Sequence, residues 1–477
     1  MSVIEMASRS FSCARSRIAS ASSRRVRTMR RSSDIDLRPS HSTTGVGYST
    51  AVVKRHMSSI EENPMKPTES ATDRDVTGTP DMSPAEGRNR WPRGRWGRRL
   101  LAGVTGIWAV IVVLAVAVVV SPTLPNHMTW VLSVLVTSFS LYLVIPALIG
   151  VVLALLVRRM RWRRTTAGVA LISVLALAGA VVPWVSAAQV AAANQVPLSL
   201  SAYFGSGPAT KPPTATEVYA TVDDQPLRLD VRKPDKPAPG APALVFVHGG
   251  SWMHGGRNQA PEQIQWFVDR GYTVFDIEYR LSPSPLWIKQ TSDVKCAIGW
   301  VAQHADRYAI DPNNITVAGL SAGANLSLLA AYTVGTGKFP PSCQVAEHPV
   351  RAVISFYGPT DTGRLMVDSG MPSVAGPTES AVFGGAPAAT PQAYLATSPL
   401  TYVRPGLPPT LQLQGASDHV VPHGQATALD ERLTAVGVPH HTVLLPYAEH
   451  AYNLHLGSWP GQISNGVLDQ FLTAHTR

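Results

Sequence analysis

The sequence predicts an α/β domain, a mostly parallel sheet with helices on both faces, preceded by three transmembrane helices and a disordered N-terminal tail. Three observations carry this. From residue 217 onward, short β-branched apolar runs alternate with helical stretches. Residues 100–190 contain three uncharged apolar runs, each reaching the roughly 20 residues that a bilayer span needs. Residues 1–98 are rich in Ser, Arg, Thr and Pro and show no sustained apolar period.

The charge distribution follows the same division. The 477 residues carry a net charge of +10. Residues 1–99 hold 19 Lys/Arg against 10 Asp/Glu, residues 100–164 hold five Arg and no acid, and residues 165–477 hold 17 against 21. The basic character therefore belongs to the tail and the membrane region. The mildly acidic remainder has no electrostatic footprint for nucleic acid.

The expected spans are 100–120, 130–157 with a kink at Pro146, and 166–190, within a membrane region of 99–190. Residues 191–215, with Ser-Gly-Pro and Lys-Pro-Pro, read as a linker, and the α/β domain fills 216–477. Glu217–Val222 and Pro226–Arg232 form a hairpin. Strands follow at 243–247, 272–279, 315–320, 350–357, 410–414 and 441–445, with helices at 288–304, 324–331, 423–437 and 461–474. Residues 359–400 lie between two strands and read as a lid.

Arginine asymmetry gives an orientation. Six Arg between 88 and 99 and five between 158 and 164 are expected in the cytoplasm, whereas the connection 121–128 has no Lys or Arg. The chain is then a multi-pass cell-membrane protein with its N-terminus cytoplasmic and its α/β domain extracytoplasmic. The cysteines are Cys13, Cys296 and Cys343, and no zinc-like spacing is present. Cys296 and Cys343 are expected as free thiols, with pairing as the alternative in an oxidising compartment.

The chemistry centres on Ile315-Thr-Val-Ala-Gly-Leu-Ser-Ala-Gly-Ala-Asn325. A strand runs into Gly319-Leu-Ser321-Ala-Gly323 and then into a helix, the context in which a G-x-S-x-G turn exposes a nucleophilic serine. A serine hydroxyl needs a base, and the base needs an orienting carboxylate. In chain order these follow as Asp418, just past the strand 410–414, and His450, just past the strand 441–445. His455 is the main rival base and Asp361 a minor rival acid. His419 and His423 read as solvated or supporting residues, His440 and His441 lie at the wrong end of a strand, and Glu449 reads as a surface residue. After the strand 243–247, His248-Gly249-Gly250-Ser251-Trp252 offers glycine N–H groups to a developing oxyanion, joined by the N–H of Ala322. His248 is expected to organise that loop. Ser251 and Trp252 are expected to touch substrate. No metal or organic cofactor is implied.

His248-Gly-Gly-Ser-Trp252, Glu278-Tyr-Arg-Leu-Ser-Pro283, Asp311 to Gly323, Ser398-Pro-Leu400, Gly415-Ala-Ser-Asp418 and Glu449-His450 together resemble the α/β-hydrolase esterases. The resemblance spans about residues 215–475. It is nearest to the hormone-sensitive-lipase-like and bacterial feruloyl-esterase-like carboxylesterases, including membrane-anchored actinobacterial ones. It implies an eight-stranded sheet, Ser321 as nucleophile with Asp418 and His450 as partners, the 248–251 loop as oxyanion site, and a small-molecule or lipid ester as substrate. Two rival readings are a peptidase or amidase on the same fold, and a binding module that has lost catalysis.

Overall fold

The computed structural model describes residues 93–120, 126–236, 238–281 and 287–476. The predicted disorder of the tail concerns residues 1–92, outside the described residues. Residues 121–125 of the first connection, and Ser282 and Pro283 of the Tyr-Arg-Leu segment, also lie outside them.

Helix α1 (Arg93–Val120) begins seven residues before its expected span. The second apolar run departs from expectation. Instead of one helix kinked at Pro146, it forms α2 (His127–Ser138), a 3-10 turn (Ser140–Leu143) and α3 (Val144–Arg159). Phe139 makes the break, with φ −110° and ψ 28°. Pro146 falls in the first turn of α3, where its missing N–H costs no helical hydrogen bond. The break is stabilised from far away in sequence. Tyr203 Oη accepts the Leu141 N–H at 3.0 Å, and Phe139 stacks on His455 with ring centres 4.9 Å apart. Helix α4 (Arg163–Ala193) completes the region. Trp96–Val118, Ser140–Arg159 and Arg163–Ala193 are long and apolar enough to cross a membrane.

The stretch read as a linker is packed. A short helix α5 (Leu200–Phe204) buries Tyr203 against Trp459, and the backbone of Ser199 bonds twice to Gln462. Ala187 and Ala191 of α4 belong to the same apolar cluster as the α/β domain's last helix.

The eight strands are β1 (Ala215–Val222), β2 (Gln225–Arg232), β3 (Ala241–Val247), β4 (Thr273–Ile277), β5 (Ile310–Leu320), β6 (Ala352–Phe356), β7 (Thr410–Gly415) and β8 (His440–Leu445). Their spatial order is β1-β2-β4-β3-β5-β6-β7-β8. β1 pairs antiparallel with β2 through a two-residue turn in which Asp223 and Asp224 both have positive φ, as a tight hairpin requires. β2 is antiparallel to β4, and the other neighbours are parallel.

Because side chains alternate across a strand, the central strands feed two cores. Val245 and Val247 of β3, with Val317 and Val353, face α7 (Trp287–Gln303), α8 (Ala322–Tyr332) and α12 (Gly424–Ala435). Leu244 and Phe246, with Ala318, Ile354 and Leu413, face α6 (Pro261–Val268) and α13 (Trp459–Thr476). β3, buried on both faces, is apolar from Ala241 to Val247, whereas β4 and β7 also bury Asp276, Gln412 and Gln414. Between β6 and β7 the insertion carries α9 (Thr362–Asp368), α10 (Pro372–Thr378) and α11 (Pro391–Thr397). Cys296 and Cys343 form a disulfide, contrary to the expectation of free thiols. Their Cα atoms lie 5.6 Å apart because α7 and the loop before β6 pack side by side.

Candidate active site

Ser321 sits at the top of β5 with φ 52° and ψ −119°, a conformation rarely adopted by a residue with a side chain. Such strain costs on the order of 1–3 kcal/mol and persists only where the surroundings over-determine it. Here two glycines do so. A Cβ on Gly319 would lie 2.3 Å from the Gly323 carbonyl, and a Cβ on Gly323 would lie 2.3 Å from the carbonyl oxygens of Val247 and His248. The N–H of Ser321 donates to Phe356 O at 2.9 Å, which fixes the turn to β6.

The structure brings the three distant residues together. Ser321 Oγ lies 2.9 Å from His450 Nε2, and His450 Nδ1 lies 2.7 Å from Asp418 Oδ2. Asp418 Oδ1 accepts the N–H groups of Val420 and Val421, and Oδ2 also accepts from Gln414 Nε2 at 2.9 Å. The carboxylate therefore makes His450 Nδ1 the donor and leaves Nε2 to face the serine as acceptor. Burial pushes the Asp418 carboxyl up from its ordinary range, and His450 pulls it the other way. Tyr357, at φ 45°, meets the His450 ring edge-on at 4.6 Å and donates from its hydroxyl to Asn453.

The rivals are placed elsewhere. His455 lies against Phe139, with Nε2 3.4 Å from Tyr203 O. Asp361 caps α9 by accepting the Arg364 N–H. His441 faces Asn194, His440 faces Asp430, and His423 contacts Ala416 O. Glu449, expected at the surface, is completely buried and pairs with His419.

The loop after β3 needs one correction. The Gly249 N–H donates to Gln259 Oε1 at 2.7 Å, so it is committed to holding the loop and not free for a substrate oxygen. Among the described residues, the N–H groups of Gly250, Ser251 and Ala322 are left without an acceptor. Gly250, Ser251 and Trp252 all have positive φ, and Ser251 and Trp252 line the same cavity as Ser321. His248 is buried, stacks on Tyr279 at 4.3 Å, and lies 2.8 Å from Gly249 O through Nδ1, which must therefore carry the proton. Burial lowers its pKa to about 4, so the ring is neutral and shapes the loop, as expected. Gln290 ties the Trp252 carbonyl to that of Arg280, and Arg280 is clamped on Asp293.

A cavity of about 20 Å³ lies above Ser321, bounded by Ser251, Trp252, Leu365, Met366, Val374 and Val421. That is space for about one water, and α9 and α10 supply Leu365, Met366 and Val374 to its wall. The insertion is anchored by polar contacts. Asn325 of α8 donates to Pro359 O and Thr397 O at its two ends, and Gln425 bonds Thr360 and Asp361. Sequence reading missed Tyr357, Gln259, Asn325 and Gln425. Asn325 closes the Ile315–Asn325 stretch and the other three lie outside the motifs, and the role of each is identified only by its partners.

This sheet order with a strained serine between β5 and its helix defines an α/β-hydrolase domain. The BD-FAE family model matches residues 229–433. In Mycobacterium tuberculosis, a protein named as a probable carboxylic ester hydrolase, LipM, is 36% identical over 248 residues, 51% of this chain and 57% of LipM. Esterase LipC of the same organism is 33% identical over 252 residues, 51% of this chain and 62% of LipC. The chain thus spans little more than half the length of these relatives. A solved structure, the apo form of Thermogutta terrifontis esterase 2, is 24% identical, with TM-score 0.47, covering 56% of this chain and 96% of that one. By its sheet order the domain has the α/β-hydrolase fold, and its sequence is similar to these esterases over about half of the chain.

Proposed function

We propose that the chain is a membrane-anchored serine carboxylesterase. The observation that carries this reading is the continuous relay Ser321–His450–Asp418, set beside N–H groups that have no other acceptor. Ser321 Oγ attacks the ester carbonyl while His450 Nε2 takes its proton. The carbonyl oxygen becomes an oxyanion and is stabilised by the N–H groups of Gly250, Ser251 and Ala322. Collapse of the tetrahedral species breaks the bond to the alcohol, which leaves with the proton from His450. Water then repeats the sequence on the acyl-enzyme, giving the free acid and restoring Ser321. Asp418 holds the tautomer and stabilises the imidazolium. The sequence similarity to LipM and LipC supports ester substrates.

The arginine pattern supports a cytoplasmic N-terminus and an extracytoplasmic hydrolase domain. The Cys296–Cys343 disulfide supports the same side, because such bonds persist in oxidising compartments. The deciding experiment is Ser321→Ala in the full chain, assayed on p-nitrophenyl esters of increasing acyl length and on aminoacyl amides. Turnover of esters by the parent and its loss by several orders of magnitude in the variant is the expected result. Wild-type ester turnover by Ser321→Ala refutes the mechanism, and faster cleavage of amides than esters by the parent refutes the substrate class.

A further inference from the structure

We propose that Glu449 is a positioning residue for the His450 base, and that the N-terminal apolar segment helps to hold it there through Ser133. The proposal rests on the triad reading above. Glu449 is fully buried. Its Oε1 accepts the backbone N–H groups of both His419 and His450, each at 2.9 Å. Its Oε2 meets His419 Nδ1 at 2.5 Å and accepts from Ser133 Oγ at 3.4 Å.

His419 follows Asp418 and His450 follows Glu449, so one carboxylate bolts together the two loops that carry the acid and the base. The 2.7 Å contact between Asp418 and His450 depends on the spacing of those loops. His419 O also accepts the Gly370 N–H at 2.9 Å, which joins the insertion above Ser321 to the same bolt. A buried carboxylate is costly unless its oxygens are satisfied. Ser133, itself buried on α2, provides one of those contacts from 316 residues away. The apolar segment is thereby part of the catalytic loops' support and not only a tether.

The test uses the full chain in detergent, with Glu449→Gln, Glu449→Ala and Ser133→Ala. The readouts are kcat and KM on p-nitrophenyl acetate, with the melting temperature of each variant. Glu449→Gln keeps an oxygen for the two N–H groups but loses the anion that pairs with His419. Its kcat is expected to fall on the order of tenfold and that of Glu449→Ala on the order of 100-fold, at nearly constant KM, because a small misplacement of a catalytic group acts on the transition state. Ser133→Ala is expected to move kcat in the same direction by about threefold, the effect of one weak contact at the edge of the cluster. A purely structural ion pair would instead lower the melting temperature and leave kcat per folded molecule unchanged, which overturns the proposal. Wild-type kcat in Ser133→Ala beside impaired Glu449 variants overturns the part assigned to the apolar segment. Ser321→Ala is the control. If it remains active the triad reading has failed, whereas an inactive Ser321→Ala beside unaffected Glu449 variants defeats this proposal alone.

Discussion

Asp418→Asn changes one atom's protonation pattern and separates two tasks of the carboxylate. Oδ1 accepts two backbone N–H groups, while Oδ2 faces His450 Nδ1 and Gln414 Nε2. An asparagine must place its amide nitrogen on one side. With nitrogen at the Oδ1 position, two buried N–H groups lose their acceptor, at about 1–3 kcal/mol each. With nitrogen at the Oδ2 position, His450 Nδ1 must become an acceptor, which puts its proton on Nε2, facing Ser321. The Gln414 amide also bonds Val421 O, so it resists rotating to compensate. The second arrangement leaves the backbone pairs intact and is the expected one. It removes the base, and a wrong tautomer of this kind lowers kcat by about 10⁴, or roughly 5.5 kcal/mol at the transition state. The assay is kcat on p-nitrophenyl acetate, with the melting temperature as the check on folding. Turnover within tenfold of wild type in a folded Asp418→Asn variant would refute the reasoning.

Two further outcomes follow from buried groups. His248 is held at a pKa of about 4 against an ordinary 6.5, so the unfolded chain binds the extra proton first and stability is lost as pH falls through that interval, by about 3 kcal/mol for this group. Asp276 is raised to about 7 by burial and works in the opposite sense over pH 4–7, so the measurement is the difference in unfolding free energy between parent and His248→Gln across that range; a difference independent of pH contradicts the assignment. The disulfide closes a loop with a sequence separation of 47, which chain entropy values at about 4 kcal/mol, so Cys296→Ser with Cys343→Ser is expected to lower stability by that order. Thiol titration of the denatured, unreduced protein from its native membrane should then find Cys13 alone, and reaction of all three cysteines would count against an extracytoplasmic domain.

The strained turn at Ser321 was legible because its pattern is local. Only glycine fits at 319 and 323, and the strand and helix around them each carry their own pattern. The positions of Asp418 and His450 were legible because a parallel sheet puts successive strand ends on one edge. What escaped depends on partners remote in sequence. Gly249 looked like an oxyanion donor until Gln259, ten residues on, proved to hold its N–H. Glu449 looked like a surface residue because a lone carboxylate usually is one, and its burial is made tolerable by His419 and Ser133. Cys296 and Cys343 show no spacing signal, since their pairing arises from the packing of a helix against a loop.

The break in the second apolar run has a physical consequence for how the two regions of the chain relate. Hydropathy cannot distinguish a single helix over 130–157 from two helices divided at Phe139, because both bury the same side chains away from water. The decision falls to groups that lie elsewhere: Tyr203, which accepts the Leu141 N–H, and His455, which receives the Phe139 ring. Both belong to segments that pack on the hydrolase sheet. Turning α2 aside also brings its Ser133 face onto Glu449, while its Met128 and Leu132 stay exposed. The same sharing occurs at α4, whose Ala187 and Ala191 sit in one cluster with Leu468 and Leu472 of α13. Small residues there let two helices approach closely, and the buried area so formed would be returned to water if the domain were cut free after Ala193. The apolar segment and the α/β domain are therefore one packed unit at this junction, joined by the Ala187 and Ala191 cluster and by the contact of Ser133 with Glu449.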